Sequence, residues 1–200
     1  MKKKIFGITL AVCLIVLSIA STTMAYFTDT DTKNKVFTAG NVDIKFTQET
    51  IFEDGNVYPG KPIGSAATIK NVGNEEAYVG IIITIATELP ENVDLTEGDL
   101  ANLFGINNFK YSKTKDGNVT TVSVYVVDAN VLGITNTATF YEGISVPREW
   151  NNAKMGMFKG LSITVTAYAT QTVGFDGGID TAEEALAAAF PGVWDNLPNA

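Results

Sequence analysis

Residues 161–170 read Leu-Ser-Ile-Thr-Val-Thr-Ala-Tyr-Ala-Thr. Leu161, Ile163, Val165, Ala167 and Ala169 fall on one side of an extended chain. Ser162, Thr164, Thr166, Tyr168 and Thr170 fall on the other, the period-two signature of a half-buried strand. The same rhythm recurs upstream. Val42, Ile44 and Phe46 alternate with Asp43, Lys45 and Thr47, and Val122, Val124 and Val126 with Thr121, Ser123 and Tyr125. Val79, Ile81, Ile83 and Ile85 share one face of a run that is apolar nearly throughout, and residues 135–146 form a further β-branched and aromatic stretch. Asp54-Gly55 and Asp116-Gly117 sit between such runs, where the glycine supplies the positive φ of a tight hairpin turn. Many strands, Gly/Asn turns and no βαβ alternation predict an all-β fold, an antiparallel jelly-roll β-sandwich.

Two segments break the pattern. Residues 89–108, with Pro90, Gly98 and Gly105, read as a loop insertion holding one helical turn near Asp99–Phe104. Thr181 and Glu184 have capping-box spacing, followed by Ala185-Leu186-Ala187-Ala188-Ala189-Phe190 and a stop at Pro191-Gly192. That spacing predicts a short C-terminal helix packed on the sandwich by Leu186 and Phe190.

The first 25 residues read as a separate object. Lys2, Lys3 and Lys4 precede an apolar run from Ile5 to Ala20 and a small polar exit ending at Ala25, as in a signal peptide cut between Ala25 and Tyr26. The run is somewhat short for a bilayer span. Cys13 lies within it, after a bulky Val12 that does not suit lipoprotein attachment. The chain has 14 basic and 22 acidic residues; losing three lysines leaves 11 against 22, a net charge of −11, and no cysteine. The remaining 26–200 is expected to be one domain with an N-terminal arm at 26–35. Without disulfides its hydrophobic core alone must hold it, which its length permits.

Composition also limits the chemistry. The chain contains no histidine, so His-dependent triads, His-ligated zinc and imidazole acid/base catalysis are excluded. A metal site would have to be all oxygen. Asp29-Thr30-Asp31 and the pair Asp176 and Asp180 lack the ligand rhythm of a calcium loop, and Glu53-Asp54 and Glu75-Glu76 are neighbours that an extended chain points apart. Ser65, Ser145 and Ser162 lie in no nucleophile elbow. Asn118-Val119-Thr120 matches a glycosylation sequon on a hairpin, and Leu197-Pro198-Asn199-Ala200 lacks the rest of a sortase signal. No catalytic residue, cofactor or metal ligand is therefore assigned. The acidic balance argues against a nucleic-acid or anionic-membrane partner. Trp150 and Trp194 are expected to be packing anchors rather than sugar platforms.

Self-association is the remaining signal. Gly80-Ile81-Ile82-Ile83-Thr84-Ile85 is uncharged, β-branched and free of proline, either a pairing-prone strand or a central one buried on both faces. Tyr26-Phe27 heads a polar run, Thr28-Asp29-Thr30-Asp31-Thr32-Lys33-Asn34-Lys35, before the first strand. An extended arm with an aromatic tip suits donation to a neighbour's sheet edge.

The run Tyr26-Phe27-Thr28-Asp29-Thr30-Asp31, followed by Val36-Phe37-Thr38-Ala39-Gly40-Asn41-Val42-Asp43-Ile44, resembles the TasA/camelysin family. Phe37, Gly40 and Asp43 mark its motif. The likeness continues through Tyr58-Pro59-Gly60, Ile69-Lys70-Asn71-Val72-Gly73-Asn74, Ala77-Tyr78-Val79 and Ala167-Tyr168-Ala169-Thr170-Gln171, so it spans nearly the whole chain. The resemblance implies a jelly-roll protein, exported from a bacterium after cleavage by a SipW-type signal peptidase and located in the extracellular matrix or at the cell surface. It implies assembly into biofilm-matrix fibres with copies of itself or a related protein. In such fibres the N-terminal segment of one subunit, here Tyr26, Phe27, Thr28, Asp29, Thr30, Asp31 and onward to about Lys35, completes a sheet of the next. The camelysin branch is classed as a cell-surface metalloprotease, and this chain lacks the His-Glu-x-x-His that a conventional zinc site needs. The expected role is structural, with a camelysin-like protease and a surface-binding module as alternatives.

Overall fold

A computed structural model describes residues 34–39, 42–48, 57–90, 93–158, 160–174, 179 and 181–195. The chain divides into two compact units, Met1–Asp31 and Thr32–Ala200, and the described residues all belong to the second. The signal peptide, Ala25, Tyr26 to Asp31, Gly40, the Asp54-Gly55 turn and the Asp176/Asp180 pair lie outside them.

Eight strands run in the order β1 (Asn34–Ala39), β2 (Ile44–Gln48), β3 (Pro62–Asn71), β4 (Ala77–Glu88), β5 (Lys110–Asp116), β6 (Val119–Val127), β7 (Thr137–Ser145) and β8 (Ser162–Gln171). Helix α1 (Glu97–Phe104) follows β4, α2 (Asn152–Met155) and a 3-10 turn (Gly156–Phe158) precede β8, and α3 (Ala182–Ala189) follows it. A five-stranded sheet, β1-β8-β4-β6-β5, faces a three-stranded one, β2-β3-β7. This is the all-β sandwich that the alternating runs predict. Its pairs are antiparallel with one exception: β1 runs parallel to β8, from Asn34 beside Val165 to Ala39 beside Thr170. Asn34 and Lys35, expected in the arm, are therefore already strand residues.

The core lies between the sheets. Val79, Ile81, Ile83 and Ile85 of β4, Val122 and Val124 of β6, and Val165, Ala167 and Ala169 of β8 meet Ile63, Ala67 and Ile69 of β3 and Ala138, Phe140 and Ile144 of β7. Where the alternation fails there is a local cause. Thr139 and Tyr141 pair with Thr68 and Ala67, leaving Phe140 as an extra residue in β7. Such a bulge turns two successive side chains to one side, and Phe140 and Tyr141 are both buried.

The second face of β4 is covered as well. Ile82 packs with Leu186 of α3 and with Trp194, and Phe190 closes the cluster. Gly80 makes this possible: a Cβ there would stand 2.6 Å from Trp194 Cη2 and 2.8 Å from Leu186 Cδ1. The Gly80–Ile85 run is thus a central strand covered on both faces. The Thr181/Glu184 capping box starts α3 as the spacing predicts. The β5–β6 hairpin shifts by one residue from expectation. Asp116 pairs with Val119, so the two-residue loop is Gly117-Asn118, with Gly117 first and at φ +58°, as a type II′ turn requires.

Candidate functional site

The most concentrated group of polar side chains is built around Asp99. Thr96 caps α1 and shares a capping box with Asp99, and Gly105 ends the helix at φ +66°. From this first turn the Asp99 carboxylate accepts hydrogen bonds from the Thr96 backbone N–H at 2.9 Å and hydroxyl at 2.7 Å. It also accepts from Trp150 Nε1 at 2.9 Å and Lys154 Nζ at 2.6 Å. Burial by itself would raise the carboxyl's pKa; Lys154, Thr96 and Trp150 outweigh it and hold it below the ordinary aspartate value. Both carboxylate oxygens are engaged, so the group clamps α1 to the 150–154 segment and has no lone pair set aside for a substrate or an ion. Trp150, one of the two candidate sugar platforms, is buried with its indole committed to this clamp. Trp194 is buried under α3. Neither presents a face for stacking.

The other acidic candidates are dispersed. Glu75 and Glu76 are both exposed in the β3–β4 connection. Among the described residues no group of three or more His, Cys, Asp or Glu is placed to hold a metal ion. With no histidine anywhere and the one cysteine at position 13, the donor chemistry does not fit a zinc site. No described helix is long and apolar enough to cross a membrane.

What the fold does present is a contrast between its edges. β5 is guarded by Lys110, Lys113 and Lys115, and lysines on an edge strand discourage further pairing. Lys110 pairs with Glu183 of α3, and Lys113 with Asp94 of the β4–α1 connection. At the β7 edge, α1 packs alongside, with Phe104 against Tyr141 at a ring separation of 5.6 Å. On the opposite side, β1 is hydrogen-bonded only to β8 and β2 only to β3 among the described residues; the two strands lie near each other, and each carries one lysine, Lys35 and Lys45. Among the described residues the less guarded edges are therefore those of the first two strands.

The motif positions gather near one end of the sandwich. Phe37 lies in β1 at the register of Tyr168. Asp43 is exposed, and its carbonyl accepts the N–H groups of Val72 and Gly73 at 2.9 and 3.0 Å. Asn71 is fully buried; its Nδ2 donates to the carbonyls of Glu75 and Leu132, and its Oδ1 accepts from Gly73 N–H. This single amide ties the β3–β4 connection to the loop before β7, a role that strand periodicity alone does not reveal. At the other end, Tyr58-Pro59-Gly60 forms a turn closed by Lys61 N–H on the Tyr58 carbonyl at 3.0 Å, with Gly60 at φ +86°.

The fold and these residues define an all-β sandwich protein with two less guarded sheet edges and, among the described residues, no metal-ligand cluster. The family described as Camelysin metallo-endopeptidase matches residues 1–136, and the chain belongs to that family. No curated protein and no solved structure matches the chain.

Proposed function

We propose that this chain is a secreted structural subunit or accessory component of extracellular biofilm-matrix fibres, assembling by β-strand addition, rather than a protease. The observation that carries the reading is the way the chain enters the fold. Its first described strand is the outermost strand of the five-stranded sheet, hydrogen-bonded in parallel to β8 and to no other described strand. A segment that precedes an edge strand can extend into another subunit's sheet without unravelling the core. Main-chain hydrogen bonds then supply affinity, and alternating side chains supply register. Cleavage between Ala25 and Tyr26 by a SipW-type peptidase would free Tyr26–Lys33 for this purpose. The test is to remove residues 26–33 from the exported chain and look for fibres by electron microscopy. Loss of fibres is expected, and fibres of unchanged abundance would overturn the reading.

Metal-dependent proteolysis is the second reading, favoured by the description of the family. Casein cleavage that disappears with a chelator would support it. The burial of Trp150 and Trp194 removes the aromatic platforms on which a sugar-binding reading rested.

A further inference from the structure

Two of the three lysines of β5 face the core side of their sheet. Lys113 stands opposite Val122 and Lys115 opposite Thr120, and both partners are buried. Directly paired residues of an antiparallel ladder put their side chains on the same face, so the two lysines leave the sheet on its inner side. The β4–α1 connection passes over that side. It sets Leu89, Pro90 and Val93 across from the lysines and leaves a cavity of about 330 Å³ between them.

The charge of this cavity is unbalanced. Lys113 is committed to Asp94 and to the Leu95 carbonyl at 3.5 Å. Lys115 takes part in no ion pair and no side-chain hydrogen bond among the described residues. Two lysines against one aspartate give the lining a net charge of +1, on a chain whose overall charge is −8. Thr120 adds an unused donor. It is only 4% exposed, and its hydroxyl has no hydrogen-bond partner among the described residues. Nor is that hydroxyl sealed in, because Trp194 Nε1 is the one enclosed side-chain nitrogen or oxygen without a partner among them. Thr87, its neighbour in β4, instead donates to the Met157 carbonyl. The wall made by Leu89, Pro90 and Val93 is apolar, and the lysine stems continue it.

We infer that this cavity binds a small amphiphilic carboxylate, one acid group on a short apolar body. The inference stands apart from the strand-addition reading, and neither depends on the other. Lys115 and Thr120 are direct cross-strand partners, so one carboxylate reaches both. It takes an ion pair from the ammonium and accepts a hydrogen bond from the hydroxyl, both charge-assisted contacts. A single unpaired cation matches a single negative charge, which favours a carboxylate over a phosphate monoester carrying close to two. A cationic ligand would meet two lysines, with the only lining carboxylate, Asp94, already paired. The apolar body lies against Leu89, Pro90 and Val93. The volume is at the small end of ligand-sized cavities, about 300–1,000 Å³, and suits a short-chain or single-ring acid.

Hexanoate is the probe, with acetate lacking the apolar body and hexylamine reversing the charge. Ligand-observed NMR on the processed chain follows all three whether or not the chain has assembled, since only the ligand's signals are read. Saturable line broadening is expected for hexanoate, with a Kd about tenfold or more below that of either control. Lys115→Gln removes the unpaired cation from an exposed position and should weaken hexanoate binding about tenfold. Thr120→Val keeps the shape of the wall, removes the hydroxyl and should weaken it about fivefold. Lys110→Gln makes the same charge change on the same strand outside the cavity, and the affinity should stay within about twofold. Broadening that does not saturate, hexylamine binding as tightly as hexanoate, or equal losses from Lys115→Gln and Lys110→Gln would overturn the site.

Discussion

The two flanks of the sandwich are finished differently. On the β5/β7 flank every described edge feature discourages pairing: three lysines on β5, two ion pairs that pull α3 and the β4–α1 connection across it, and α1 laid beside β7. The β1/β2 flank is less guarded: each of its strands carries a single lysine, Lys35 and Lys45, against three on β5. Its first strand is the one parallel strand in an otherwise antiparallel pairing scheme. An edge strand offers unpaired N–H and C=O groups to any extended chain, and natural sheets block edges that are not meant to pair. Under the strand-addition proposal, the less guarded flank is where a further strand would be added. The contrast also gives the Asp99 clamp a purpose, because that clamp holds α1 where it covers β7.

The comparison can be broken from its closed side. The largest effect is expected from Trp194→Ala, which empties the space between α3 and β4. A loss of about 3–5 kcal/mol, the usual cost of truncating a buried tryptophan, should appear in denaturant unfolding, along with release of α3 from the Ile82 face. Asp99→Ala comes next. It strands the Trp150 indole and the Lys154 ammonium, and a loss of about 3 kcal/mol is expected, less than for a fully buried pair because Lys154 is partly exposed. With α1 loosened, β7 becomes a further exposed edge, so this variant should also aggregate irregularly in light scattering. The pH dependence follows from the same carboxylate. Its folded pKa is depressed, so its contribution to stability is complete above the ordinary aspartate pKa of 3.8 and is lost as pH falls below that through the folded value. Asp99→Asn should therefore flatten the acid limb of the stability profile below about pH 4, measured by urea midpoints at successive pH values.

Smaller changes sharpen the picture. Thr135→Gly relieves the left-handed backbone between Ile134 and Asn136 and should stabilise the fold by about 1 kcal/mol, read from denaturant midpoints. Lys113→Ala removes an exposed ion pair with Asp94 and should shift stability by less than about 1 kcal/mol. Its consequence, if the edges are managed as described, is a higher tendency to self-pair along β5 at low salt, visible as amyloid-dye binding.

Much of the fold is legible in the sequence because its signals are local. Period-two alternation announces the core face of β4, β6 and β8, and Thr181 with Glu184 announces α3. What stays hidden depends on residues far apart in the chain. The direction of β1 is not written in its own side chains, since a strand's alternation is the same whichever way its neighbour runs. The Asp99 clamp joins residues 51 and 55 positions apart, although Thr96-x-x-Asp99 offers capping spacing that would start α1 two residues earlier than expected. Asn71 reads as one more polar residue at a strand end, and only the loop around it, with Leu132 61 positions away, makes it a hub. Gly80 is the converse case. In sequence it looks like a flaw in an apolar strand, and the packing of Leu186 and Trp194 shows why no side chain fits there.

In the proposed assembly the segment ahead of β1 joins subunits and is not needed to hold one together. Its most direct test compares the processed chain with and without residues 26–33, by sedimentation and electron microscopy for assembly and by thermal unfolding for the subunit. Fibres are expected from the intact chain, monomers from the shortened one, and midpoints within about 4 °C of each other, a difference worth about 1 kcal/mol or less. Fibres from both chains, or a shortened chain that fails to assemble because it no longer folds, would contradict that assembly.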